Sequence, residues 1–130
     1  MIVDSSAIVA MLFEESGYES LREKLLFADR RPRMASASFL ETAIVIDRKG
    51  DITSSRKLDD LLVEARIELV AFMPEHAKLA RDAYREYGKG SGHPAKLNFG
   101  DCVAYAMARA ERQPLLFVGD DFAHTDIEAA

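Results

Sequence analysis

The sequence has one cysteine, Cys102, in 130 residues. That excludes an internal disulfide and every multi-cysteine zinc motif, and it suits a reducing cytosol. Long apolar runs are also missing: none exceeds the seven residues of Ala7 to Phe13, far short of the ~20 that span a bilayer. Asp4 interrupts any signal-peptide pattern at the amino terminus, so a cytoplasmic chain with no membrane partner is expected. Basic charge is in deficit. Seventeen Lys and Arg face 22 Asp and Glu, a formal net charge of −5, which by itself argues against a polyanionic partner. No internal repeat and no interdomain linker is visible, and the length fits one domain spanning residues 1–130. Gly88-Lys89-Gly90-Ser91-Gly92 is neither a dinucleotide fingerprint nor a P-loop and follows a predicted helix, so it reads as a surface loop.

What is present is an alternation of short apolar strands with helices, without hairpin signals between them. Met1 to Asp4 reads as a strand ending in an acid. Ser5 and Ser6 then supply capping hydroxyls for a helix from Ala7 to about Glu15, and Gly17 separates it from a second helix, Tyr18 to about Ala28. Met34-Ala35 ends a further strand, and Ser36 or Ser38 caps a helix through Ile46. Thr53 or Ser54 starts an amphipathic helix, followed by a strand at Glu68 to Phe72. Pro74 opens the next helix at its first position. Asn98 caps a helix from Phe99 to about Arg112, and Leu115 to Val118 is a fully apolar strand. Leu21, Leu25, Leu58, Leu61 and Leu62 fall on core faces, and Cys102 packs as a small buried residue. The fold class expected is α/β, a central parallel β-sheet with helices on both faces.

Acids recur at the junctions. Asp4 follows the first strand, Glu41 lies in the helix after the second, Asp101 is in the first turn of the late helix, and Asp120 and Asp121 follow the last strand, with Asp126 beyond. Right-handed crossovers place these junctions on one edge of the sheet. Each acid also has an ordinary explanation: capping boxes at Ser38 to Glu41 and Asn98 to Asp101, an N-cap at Asp4, and a turn at Gly119-Asp120-Asp121. Convergence favours the other reading, because facing carboxylates repel unless a cation lies between them, and hard cations such as Mg²⁺ or Mn²⁺ take oxygen ligands. Setting the six acids aside leaves 16 acidic against 17 basic residues, a balance of +1 that tolerates RNA.

The Met-Ile-Val-Asp4-Ser-Ser-Ala opening, the Ser-Ala-Ser-Phe-Leu-Glu41-Thr segment, the Leu-Asn98-Phe-Gly-Asp101-Cys run and the closing Leu-Leu-Phe-Val-Gly-Asp-Asp121-Phe-Ala-His-Thr-Asp126-Ile together resemble a PIN domain. More closely they resemble the VapC toxins of type II toxin–antitoxin pairs. The resemblance implies the PIN fold and a metal-dependent endoribonuclease using Mg²⁺ or Mn²⁺. It also implies a homodimer or toxin–antitoxin hetero-oligomer and a VapB-type antitoxin. By the same resemblance Asp4, Glu41 and Asp101 hold the metal. Asp120, Asp121 and Asp126 compete for the fourth position, with Asp121 favoured and Asp126 in support. Ser6 resembles a hydroxyl residue that orders such sites, and Asn98 supports Asp101. Arg31, Arg33, Lys89, His93 and Lys96 are weaker candidates for substrate contact. His93 and His124 read as surface residues, since the chemistry needs no histidine base. A DNA-directed or structure-selective nuclease uses the same acids. A receiver-like phosphotransfer module shares the fold class but requires paired acids after the first strand, where Ser5-Ser6 follow Asp4.

Overall fold

Alternation within the strands explains how segments of two or three residues organise the chain, whose computed structural model describes all 130 residues, Met1–Ala130. The strands are β1 (Ile2–Val3), β2 (Arg33–Ala35), β3 (Glu68–Val70) and β4 (Leu115–Leu116). They pair in parallel in the order β3-β2-β1-β4, with Ile2 opposite both Arg33 and Leu115, and Arg33 opposite Glu68. Successive strand residues point to opposite faces. Ile2, Ala35, Val70 and Leu115 therefore enter one core with α5 (Pro74–Tyr87) and α6 (Phe99–Glu111). Val3, Met34 and Leu116 enter the other, against α1 (Ser5–Leu12), α2 (Tyr18–Leu26), α3 (Ser36–Asp47) and α4 (Ile52–Glu64). Burial on both faces is why these strands read as continuous apolar runs. Leu25, Leu58 and Leu61 are buried, and Leu21 and Leu62 pack half-buried against them. No helix is long and apolar enough to cross a membrane.

Helix starts differ from the sequence expectation in an instructive way. Ser5 and Ser6 lie inside α1, and Asp4 is its N-cap, accepting from the Ser6 backbone N–H at 2.9 Å. Asp51, not Thr53 or Ser54, caps α4, accepting from both of their N–H groups. A carboxylate offers more acceptor sites than a hydroxyl and complements the helix dipole. α3 starts with no side-chain cap, so the Ser38 to Glu41 capping box does not form. Glu41 thereby loses its ordinary explanation. The Asn98 to Asp101 box does form, in both directions, at 2.8 and 2.9 Å.

β4 is shorter than the apolar run Leu115 to Val118. The Asp4 N–H donates to Leu116 O at 2.9 Å, but the Val118 N–H leaves the ladder and donates to Ser6 Oγ at 3.1 Å. Gly119, at φ +103°, then turns the chain in a conformation that L side chains rarely adopt, so Asp121 swings back toward α1 before the short 3-10 turn Phe122–His124. Gly88 to Gly92 is a surface loop, closed at its base by the Lys89 N–H donating to Leu97 O and the Leu97 N–H to Tyr87 O.

Candidate active site

Beyond the carboxyl ends of β1 and β4 lies a cleft of about 300 Å³ whose wall includes Asp4, Glu41, Asp101 and Asp121. Parallel sheets form ligand sites at this edge. Asp4 is 2% exposed. Its Oδ2 accepts from the backbone N–H and hydroxyl of Ser6, whose Oγ in turn accepts from Val118 N–H. Ser6 thus links the end of β4 to the carboxylate. Asp4 Oδ1 has no partner at all although it is buried. Burial pushes this carboxyl up to about 6, against the pull of the Ser6 hydrogen bonds, and Asp101 and Glu41 raise it further.

Asp101 is half-buried, and one of its oxygens is taken by the Asn98 backbone N–H. Burial is the main cause of its raised pKa, with Asp121 and Glu41 adding repulsion against that hydrogen bond. Glu41 projects from the second turn of α3 and accepts from the Ser5 hydroxyl at 3.2 Å. No three of these acids are drawn together tightly enough to ligate an ion as they stand. Four carboxylates on one cleft, one of them with a buried, unpartnered oxygen, are the oxygen donors that a hard divalent cation takes.

Gly100 was not visible as a site residue in the sequence. A Cβ built there would meet the two Glu41 carboxylate oxygens at 2.5 and 2.6 Å, so the bare backbone is what lets Glu41 lie against α6. The available signal is a glycine in the first turn of a helix, where alanine is favoured by about 1 kcal/mol.

Several other candidates sit elsewhere. Asp126 is not on the cleft: it accepts from the Tyr105 hydroxyl at 2.7 Å and pairs with Arg109 at 3.1 Å. Asp120 is exposed and outside the cleft, its carbonyl closing the turn to Ala123 N–H. Asn98 lines the cleft and, by its cap, fixes Asp101. Arg33 pairs with Glu68 and Glu111, and the Arg31 Nε donates to Arg66 O. Glu111 is ten residues along α6 from Asp101, about 15 Å, so both arginines belong to the opposite edge of the sheet. His93 stiffens its loop, its ring edge-on to Tyr87 at 4.9 Å and its Nδ1 accepting from Ala95 N–H. Lys96 and His124 are exposed. Lys89 borders a second recess next to the cleft. Cys102 is buried, its thiol pushed up to about 11 by that burial.

The PIN domain family model matches residues 1–128. The chain belongs to the PIN-domain family. Within it the relatives are VapC proteins. Ribonuclease VapC28 of Mycobacterium tuberculosis is 48% identical over 130 residues, covering 100% of this chain and 97% of its own. Ribonuclease VapC42 of the same species is 46% identical over 132 residues, covering 100% and 98%. The crystal structure of M. tuberculosis VapC20, described as a sarcin–ricin loop cleaving toxin, superposes with a TM-score of 0.77 at 10% identity, over 99% of this chain and 97% of that one. A toxin–antitoxin complex from Klebsiella pneumoniae gives 0.67 at 17% identity, over 94% and 89%. PIN membership removes the receiver-like reading.

The Asp4 pKa carries a stability consequence. Its folded-state value of about 6 lies above the ordinary 3.8, so the folded protein holds the proton more tightly than the unfolded chain. The stability this gives is complete below about pH 4 and is lost as pH rises through 6, by about 3 kcal/mol. Asn keeps a cap acceptor without the charge. In chelator, Asp4→Asn is expected to melt roughly 5–10 °C above wild type at pH 7.5 and level with it near pH 4, measured by calorimetry. A variant that melts below wild type at both pH values contradicts the burial penalty.

Proposed function

We propose that the chain is a divalent-metal-dependent endoribonuclease, with Mg²⁺ or Mn²⁺ as its cofactor, that acts in the cytoplasm as the toxin of a type II toxin–antitoxin pair. The observation that carries the reading is the buried Asp4 carboxylate, its Oδ1 unpartnered, in the wall of a cleft shared with Glu41, Asp101 and Asp121. Full-length relatives named as ribonucleases support RNA as the substrate.

Asp4, Glu41, Asp101 and Asp121 would hold the cation. Bound there, a divalent cation supplies Lewis acidity, activating water and neutralising charge that builds on a phosphodiester. The protein's own contribution is placement. Ser6 holds the Asp4 carboxylate by its Oδ2 and leaves Oδ1 uncommitted. The capping box leaves only one Asp101 oxygen committed to the backbone. Gly100 admits Glu41. The amino terminus of α6 brings the positive end of its dipole to a site where a phosphate must approach four acids.

A VapB-type antitoxin helix would lie in the recess of about 440 Å³ between α1, α2 and α4, a reading supported by the apolar lining of Met11, Leu12, Tyr18 and Leu61 with charged residues around it. A homodimer fits the exposed stripe Leu40 and Ile44 on α3.

Cleavage of a structured RNA with Mg²⁺, with Mn²⁺ and with chelator tests the reading, with duplex DNA as control. Site-limited RNA cleavage is expected with either cation and none in chelator, with roughly 10²–10⁴-fold loss in Asp4→Asn and Asp101→Asn. Cleavage in chelator, or variants as active as wild type, overturns it. Gly100→Ala separates positioning from folding: a melting temperature within a few degrees of wild type, with RNA cleavage about 10–100-fold lower as Glu41 is displaced. Unchanged cleavage would remove Gly100 from the site.

A further inference from the structure

A second recess, of about 590 Å³, lies against the acidic cleft with Asn98 in the wall of both. It is formed where two helix faces diverge. α5 contributes Ala77, Ala80 and Tyr84, at i, i+3 and i+7, and α6 contributes Phe99, Cys102 and Val103, at i, i+3 and i+4. The small residues on α5 leave the gap, and Phe72 helps to line it. Cys102 adds no charge, because burial keeps its thiol protonated at neutral pH.

Two features set this recess apart from an ordinary apolar depression. Phe99 is 80% exposed at the first position of α6, two residues from Asp101, so its ring is open to a ligand at the edge of the recess. The rim carries Arg81 and Lys89, neither of them ion-paired, in a chain that is acidic overall. The Tyr84 hydroxyl donates to Lys89 O at 3.0 Å, holding that lysine's backbone at the recess.

We infer that this recess is a nucleobase subsite: one unpaired base of the RNA, on a nucleotide adjoining the scissile phosphate, stacks on Phe99 while Arg81 and Lys89 take the flanking phosphates. Exposed rings beside cations are how single-stranded nucleic acid is held, since every base has a π-face and every nucleotide a charge. Asn98-Phe99-Gly100-Asp101 is then a ridge with two slopes. Asp101 and Gly100 face the acids, and Phe99 faces the base. Cation-rimmed continuity with the acidic cleft commits the recess to RNA rather than to another protein. The subsite makes cleavage depend on a base that can leave its stack, a specificity element for the reaction proposed above, on which this inference rests.

The test is kcat/KM for single-stranded oligoribonucleotides, with abasic sites placed singly through the sequence, for wild type, Phe99→Ala, Phe99→Leu and Phe99→Tyr. The cation-induced rise in melting temperature is measured for each as a check on the acidic cleft. Expected are a loss of about 10–100-fold in the Ala and Leu variants, carried mainly in KM, and activity within about 2-fold of wild type for Tyr. The thermal response to the cation is expected to be unchanged in all. An abasic site next to the cleavage position should cost wild type a similar factor and cost Phe99→Ala little more. Full activity in Phe99→Ala, or rescue by Leu as good as by Tyr, overturns the subsite. So does a wild-type dimer that dissociates in Phe99→Ala with cleavage unaltered, which would assign the ring to a second copy of the chain. If wild type cleaves no RNA while the cation still raises its melting temperature, the ribonuclease reading fails first and this inference falls with it.

Discussion

One buried carboxylate oxygen without a partner, Asp4 Oδ1, is the constraint around which the rest of the molecule is arranged. Burying a charge beside other charges of the same sign is costly, and a fold selected for stability alone would have protonated, paired or replaced it. Here it is over-determined instead. β1 delivers Asp4 to the sheet edge, α1 uses it as a cap, and Ser6 ties it to the end of β4 through Val118. The interactions that hold Asp4 are also those that join strand to helix, so the site cannot relax without loosening the sheet's centre.

The sheet itself is minimal. One of its two inner strands, β1, has two residues, and it works because one is committed to each core. The parallel order places β1 and β4 side by side, bringing Asp4 and Asp121 within one cleft although 117 positions separate them. Glu41 and Asp101 arrive from α3 and α6 on different sides, and Gly100 is where those helices come close enough for the acids to share a space.

Much of this was legible in the sequence. Apolar runs alternating with capped helices gave the parallel α/β architecture, since strands buried on both faces need no polar alternation. Asp4, Glu41 and Asp101 were legible as neighbours because they stand at strand ends and helix starts on the edge that right-handed crossovers bring together, while Asp121 was favoured over Asp120 and Asp126 by the family resemblance alone. Asp126 was misplaced because its partners, Tyr105 and Arg109, lie on a helix face some 20 residues earlier, a contact that spacing does not encode. Arg31 and Arg33, weaker candidates for substrate contact, precede or begin β2 and so belong to its amino end. Asp51 was hidden by the hydroxyls after it, and the departure of Val118 from β4 by a hydrogen bond to a serine 112 positions away.

The central claim is that the acidic cleft is completed by a divalent cation and that Asp4 is the group that most resists being charged without one. The most direct measurement is the affinity of the purified protein for Mn²⁺ at pH 5 and pH 7.5, by calorimetry, with Asp4→Asn alongside. Wild type is expected to bind more weakly at pH 5, because protons hold Asp4, with its pKa of about 6, against the metal. Asp4→Asn is expected to bind weakly at both and to lose most of that pH dependence. Equal wild-type affinity at the two pH values, or an Asn variant that binds as tightly as wild type, would contradict it.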